Sequence, residues 1–250
     1  MIITPTKTLF DAVDWQNDFI LPGWACVPPG APALPLVPLF NAFLRRLSSR
    51  NISVVLIKYD AHFIHEYPLS PEAVPFPNPH CLFGTEGQKL SIELGDLAER
   101  VPVFHMNKNE FGMWGRIPVD ISRVKFDTPE ERLAYQNLFS ITPQFNDLAP
   151  GVARDDWFVQ QDITPQNTEV VSAGIYADWC DRDAWEGYLT RGFNLTVLTN
   201  LCAGIGGTPG RSGADLSGSV ESVCQEAFPD ALKTGQLKLM TSQHWLASRP

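Results

Sequence analysis

The sequence predicts an α/β protein: an open, mostly parallel six-stranded sheet with helices on both faces, in a Rossmann-like three-layer arrangement. Three observations carry that reading. Short β-rich runs alternate with stretches of helical periodicity, and the runs are apolar along most of their length, as strands buried on both faces are. The composition, 44% hydrophobic and 19% charged over 250 residues, supplies a sizeable core. Residues 1–250 read as a single domain with a long insertion at about 115–166.

The first strand is expected at TLFDAV (8–13), the second at ISVVLIKY (52–59) and the third at VPVFHM (101–106). Between the first two, PLVPLFNAFLRRLSSR (35–50) spaces its apolar residues helically, with Arg and Ser on the other side. The proline-rich segment 67–87 is too long for an ordinary connection and reads as a functional loop. Within the insertion, PEERLAYQNLF (129–139) predicts a short helix. A fourth strand follows at EVVSAGI (169–175), then a helix at DRDAWEGYLTRG (181–192) whose final glycine suits a C-terminal cap. The last strands are expected at NLTVLT (194–199) and QLKLMT (236–241). In such sheets the active site lies at the carboxyl ends of the strands.

Charge narrows the function. The formal net charge is −9 and no basic cluster appears, so a surface that tracks nucleic-acid phosphates or anionic lipid is not expected. No stretch approaches the roughly 20 apolar residues of a membrane span, and MIITPTKTLFDAV has no basic region followed by an apolar core. A soluble, cytoplasmic protein acting on a small molecule is the expectation, with a homo-oligomer possible. The cysteines at 26, 81, 180, 202 and 224 are odd in number and scattered, which reads as reduced thiols.

Three strand ends carry reactive side chains. Asp14 follows strand one, Lys108 follows strand three, and Cys180 opens the helix after strand four, where free N–H groups and the helix dipole favour thiolate. Together they are a nucleophile, a proton acceptor and a cation, the set that thiol-dependent acyl transfer needs. A second concentration follows strand two: Asp60 and His62, then His65, Glu72 and His80, which can offer oxygen and nitrogen ligands to a metal. His105 reads as strand packing. The glycine string CAGIGGTPG (202–210) lacks both phosphate-loop patterns and reads as a flexible connection.

Taken in order, VDWQNDF, the D-x-H after strand two, NPHCLFGTEG, the lysine after strand three and GIYADWC resemble the isochorismatase-like cysteine hydrolases, most closely their nicotinamidase branch. The likeness runs from about residue 8 to residue 205. It implies an amidase that turns nicotinamide and water into nicotinate and ammonia through a Cys180 thioester. Asp14 would be base and then acid, Lys108 would stabilise negative charge, and the backbone N–H groups of Tyr176 and Cys180 would form the oxyanion hole. A cis peptide would fall at Ile175–Tyr176. The resemblance also implies a divalent metal, zinc foremost with manganese or iron as alternatives, on Asp60, His62 and His80. Glu72 is favoured as the fourth ligand and His65 is its alternative. Phe19, Phe76 and Tyr176 would contact the substrate ring. Competing readings are an amidase for another small amide, of carbamoyl or maleamate type, and a catalytically idle interaction module. Asp181, beside the thiol, is expected to point into solvent, and the other cysteines to be structural, with Cys81 the possible exception.

Overall fold

The computed structural model describes residues 7–28, 31–115, 121–205 and 219–249. Its strands are β1 (Lys7–Val13), β2 (Val54–Asp60), β3 (Val103–Lys108), β4 (Ser140–Thr142), β5 (Val152–Ala153), β6 (Thr168–Gly174), β7 (Asn194–Leu198) and β8 (Leu237–Met240). They form one sheet of order β5-β4-β3-β2-β1-β6-β7-β8. The six strands from β3 across to β8 are parallel and coincide with the six apolar runs. The sheet has eight strands rather than six, because the segment between β3 and β6 adds β4 and β5 as an antiparallel edge. Strands of three and two residues are too short to show a period.

The helices are α1 (Asn17–Ile20), α2 (Val37–Leu44), α3 (Leu97–Arg100), α4 (Pro129–Gln136), α5 (Arg154–Gln160), α6 (Cys180–Thr190), α7 (Val220–Ala227), α8 (Pro229–Thr234) and α9 (Ser242–Ala247). Strand alternation divides them between two layers. On one face Phe10 meets Phe43 of α2 at 5.2 Å, and Phe43 meets Trp245 of α9 at 6.0 Å. On the other, Trp157 of α5 packs edge-on to Phe104, and Trp185 of α6 donates to Ser172 Oγ at 3.0 Å. Phe10, Trp157, Trp185 and Trp245 are all fully or almost fully buried. Each such burial stabilises the fold by about 2–3 kcal/mol.

Local signals set the helix ends. Thr128 caps α4 by accepting from Glu131 N, with Pro129 in the first turn. Helix α2 is shorter than its apolar pattern, and Arg100 donates to the carbonyls of Leu44, Arg45 and Leu47 where it unwinds. Two glycines permit close approach. A Cβ on Gly174 would lie 2.5 Å from both Val13 Cβ and Asp181 Oδ1, so glycine lets the start of α6 dock on the sheet. At Gly187 of α6 the Trp114 ring occupies the space a side chain would fill. The glycine string beyond Ile205 lies outside the described residues.

Candidate active site

Register brings the reactive residues together. Val13 pairs with Lys58, and Asp60 with Lys108, so Asp60 and Lys108 share one face at the carboxyl ends of β2 and β3. Asp14 follows Val13 and by alternation belongs to the opposite face. Its φ of 54° breaks the extended chain there and brings its carboxylate to Lys108. Lys108 Nζ donates to Asp14 Oδ2 at 2.8 Å and lies 3.8 Å from Asp60 Oδ1. Asp14, Lys108 and Cys180 are all buried, and Cys180 is the first residue of α6.

Electrostatics in this group oppose one another in a useful way. Burial pushes the Asp14 carboxyl up to about 6, against the lowering effects of Lys108 and of the neighbouring Cys180 thiol. Burial also pushes the Cys180 thiol up, with Lys108 as the opposing influence. Burial alone would lower Lys108, but Asp14, Cys180 and Asp60 hold it well above the usual lysine range. The lysine therefore keeps its charge, and at rest the proton stays on the Cys180 sulfur while Asp14 is the stronger acid of the two.

Beside this group stand Asp60, His62, Glu72 and His80, whose ligand atoms all lie within 4.8 Å of one another. His62 Nε2 is 3.3 Å from Asp60 Oδ2 and 3.6 Å from Glu72 Oε2, and His80 Nε2 is 3.1 Å and 3.4 Å from the same two oxygens. Both Nε2 atoms and both Asp60 oxygens are buried without a hydrogen-bond partner. His62 Nδ1 faces Glu66 Oε2 at 3.3 Å. His80 Nδ1 lies 3.1 Å from the Tyr67 hydroxyl and 3.1 Å from the Asn78 carbonyl. Tyr67 itself donates to Phe76 O, so its oxygen accepts from the His80 ring. With each Nδ1 carrying its proton toward an acceptor, two nitrogen and two oxygen lone pairs converge in a dry space. Positive charge must sit among them, and this donor set fits a divalent cation. Without one, burial opposes ionisation of His62, while Asp60 beside it holds the ring protonated well above the usual range. The same pairing, with Lys108, keeps Asp60 ionised against its burial.

The supports of this cluster come from distant segments. Gln16, in VDWQNDF, accepts from Asp60 N at 2.7 Å and donates to Asp60 O at 2.8 Å. Asp18 accepts from Cys81 N at 2.6 Å and so anchors the residue after His80. Ser70 accepts from Glu72 N at 3.1 Å, which sets the turn that turns Glu72 inward. Sequence reasoning singled out none of Gln16, Asp18, Glu66 or Tyr67, since each reads as an ordinary loop polar group. The four-residue spacing of His62 and Glu66 was the available signal. His65 does not join the cluster: it is partly exposed and bonds Asp127 at 3.1 Å.

One cavity is lined by members of both groups: Glu72 and His80 from the second, Cys180 from the first, together with Tyr176 and with Phe19, Phe76, Phe111 and Trp179 as aromatic walls. Phe19 stands edge-on to His80 at 5.2 Å, and Phe76 to Trp179 at 4.7 Å. Tyr176 donates its hydroxyl to Phe19 O. The Ile175–Tyr176 peptide is cis. Among the described residues, neither the Tyr176 nor the Cys180 N–H finds a backbone acceptor. No described residue from 121 to 166 lines this cavity; that segment builds the far sheet edge instead.

Asp181 corrects an expectation. It is fully buried rather than solvent-facing, because Gly174 lets α6 dock so closely that its second residue points at the sheet. Burial pushes its carboxyl well above the usual range, with Lys58 opposing and Asp11 adding to the rise. Cys81 is buried too, its thiol facing Gly87 O at 3.9 Å.

No protein-family model matches the chain, and no curated protein matches it. Solved structures do. A nicotinamidase/pyrazinamidase from Bacillus subtilis superposes with a TM-score of 0.56 at 20% identity, covering 94% of this chain and 99% of that one. A pyrazinamidase of Pyrococcus horikoshii, solved in complex with zinc, gives 0.56 at 17% identity over 94% and 99%. An isochorismatase-like hydrolase from Alkaliphilus metalliredigens gives 0.59 at 14% identity over 97% and 98%. The chain thus has the fold shared by nicotinamidases and isochorismatase-like hydrolases. No helix of the described residues is long and apolar enough to cross a membrane.

Proposed function

We propose that this chain is a cysteine amidohydrolase whose substrate is a small planar amide, with hydrolysis of nicotinamide to nicotinate and ammonia as the leading reaction. One observation carries the reading: a single aromatic cavity is lined both by Cys180, of the Asp14, Lys108 and Cys180 group, and by Glu72 and His80, of the adjoining Asp60, His62, Glu72 and His80 cluster. The fold shared with nicotinamidases supports it.

In this reading Asp14 takes the proton of Cys180, and the sulfur adds to the amide carbonyl. The oxyanion that forms accepts from the Tyr176 and Cys180 N–H groups. Asp14 then returns its proton to the departing nitrogen, ammonia leaves, and a thioester remains on Cys180. Water, deprotonated by Asp14, opens the thioester to give the acid and restore the thiol. Lys108 stays charged throughout and offsets the negative charge that moves between sulfur and carboxylate. Phe19, Phe76 and Tyr176 hold the ring. Asp60, His62, Glu72 and His80 would hold a divalent cation, zinc foremost with manganese or iron as alternatives, which would supply Lewis acidity toward a pyridine nitrogen. A reducing, cytoplasmic setting is in keeping with the free thiols.

The test is ammonia release from nicotinamide by zinc-replete protein, beside Cys180→Ala. Turnover in the parent and its loss in the variant, on the order of 10³-fold or more, is expected. Turnover that survives in Cys180→Ala would sink the thioester route. A metal-replete parent that releases no ammonia from nicotinamide would move the substrate to another small amide.

A further inference from the structure

Glu66 has no part in the reaction as written above, yet it is fully buried and its carboxylate is completely engaged. One oxygen, Oε2, faces His62 Nδ1 at 3.3 Å and accepts from Phe63 N at 3.3 Å. The other, Oε1, accepts from Asn109 Nδ2 at 2.8 Å. Asn109 follows Lys108 directly, and its carbonyl accepts from Ser70 Oγ, two residues before Glu72. The carboxylate therefore ties His62 to the segments that carry Lys108 and Glu72.

The two histidines of the cluster are backed differently. His80 gives its Nδ1 proton to a phenol oxygen and a carbonyl, both neutral. His62 faces a carboxylate. An ionised carboxylate accepts only, so it fixes the tautomer with Nδ1 protonated and aims the Nε2 lone pair at Asp60 and Glu72. It also makes the imidazole a stronger donor, and it adds a third buried negative charge beside Asp60 and Glu72. Neither effect is available from Tyr67 or Asn78.

We propose that Glu66 is a positioning residue for a divalent metal ion: it orients and strengthens His62 as a ligand, and Asn109 holds it in place. This inference rests on the metal-site reading above. Its consequence is an ordering of metal affinity among variants that leave all four ligands untouched. Glu66→Gln keeps the shape but loses the charge, and is expected to weaken zinc binding by about 10- to 100-fold. Asn109→Ala keeps the Glu66 side chain but removes the donor that holds its Oε1, and is expected to weaken zinc binding by less. Tyr67→Phe leaves His80 its carbonyl partner and is expected to have the smallest effect.

The experiment is competition for zinc between each purified, refolded-to-baseline protein and a chromophoric chelator, with the cobalt(II) visible spectrum as a second readout of ligand geometry. Circular dichroism of the metal-free proteins checks the fold, and Asn109→Ala serves if Glu66→Gln does not fold. Parent-like zinc affinity and an unchanged cobalt spectrum in both Glu66→Gln and Asn109→Ala would overturn the role of Glu66 and leave the metal site standing. A parent protein that takes up neither zinc nor cobalt would overturn the metal site itself, and this inference with it.

Discussion

Two lysines enter the same face of the sheet from neighbouring strands, and each pairs with a carboxylate from β1 or its end. Lys58 Nζ lies 2.8 Å from Asp11 Oδ2, and Lys108 Nζ lies 2.8 Å from Asp14 Oδ2, with all four side chains completely buried. What separates them is depth. Lys108 stands level with Asp60 at the strand ends, whereas Lys58 is level with Val13 and Met106, two residues further in. Around Lys58 are the Tyr188 ring at 5.9 Å and, near its pair, the buried Asp181 carboxyl. Around Lys108 are a thiol and a second, ligand-rich carboxylate. An identical ion pair is thus a structural element in one layer and a candidate for chemistry in the next, and the neighbouring nucleophile decides which.

That contrast can be broken most sharply through Lys108. Lys108→Met is expected to lower kcat/KM for the amide substrate by on the order of 10²–10³-fold, because a preorganised charge beside the sulfur is lost. The variant should still fold, since Asp14, already pushed up to about 6, can take a proton in response. Steady-state kinetics beside a thermal melt decides this, and near-parental kinetics would remove Lys108 from the reaction. The reverse is expected at Lys58. Lys58→Met should cost up to about 3–5 kcal/mol in chemical denaturation, less what protonation of the Asp11 carboxyl, itself raised by burial, recovers, while the folded enzyme keeps its kcat/KM. Adding Asp11→Leu to that variant should restore most of the loss, because a matched apolar pair replaces a buried charge.

A smaller effect concerns pH. If Asp14 must be ionised to take the thiol proton, kcat/KM should fall about tenfold per unit as pH drops below about 6. Stability should move the other way. A carboxyl whose folded pKa is raised from 3.8 to about 6 contributes stability below 3.8 that is lost as pH rises through about 6. Parallel activity and denaturation series between those limits test both signs, and a flat activity profile would argue against Asp14 as base. The smallest effect belongs to Asp181. Its carboxyl is held protonated by burial, so Asp181→Asn should be nearly silent at low pH. It should then become more stable than the parent as pH rises, since the amide has no proton to lose.

Much of this was readable in the chain. VVLI and EVV announce strands buried on both faces, and the reactive residues stand at the ends of such runs, where side chains meet a cavity. The parts that were not readable share a physical cause. Strands β4 and β5 are too brief for alternation, and their pairing depends on the rest of the sheet edge. Lys58 and Asp11 sit inside apolar runs, and nothing local distinguishes a buried charge from one on an exposed strand face. Asp181 was read from its helix position alone, whereas its burial follows from Gly174, seven residues earlier and on another element. Glu66 and Gln16 acquire meaning only once His62 and Asp60 are in place beside them.

The position of Lys108, 2.8 Å from Asp14 and 3.8 Å from Asp60, has a consequence for anyone who would re-engineer this pocket. Its one ammonium faces both the proposed sulfur chemistry and the proposed metal, so the two ends are wired to a common terminal. Exchanging the ion for one of different charge, or trimming a ligand to suit another ring, would reset the working pH of the thiol as well. Specificity and reactivity would have to be tuned together.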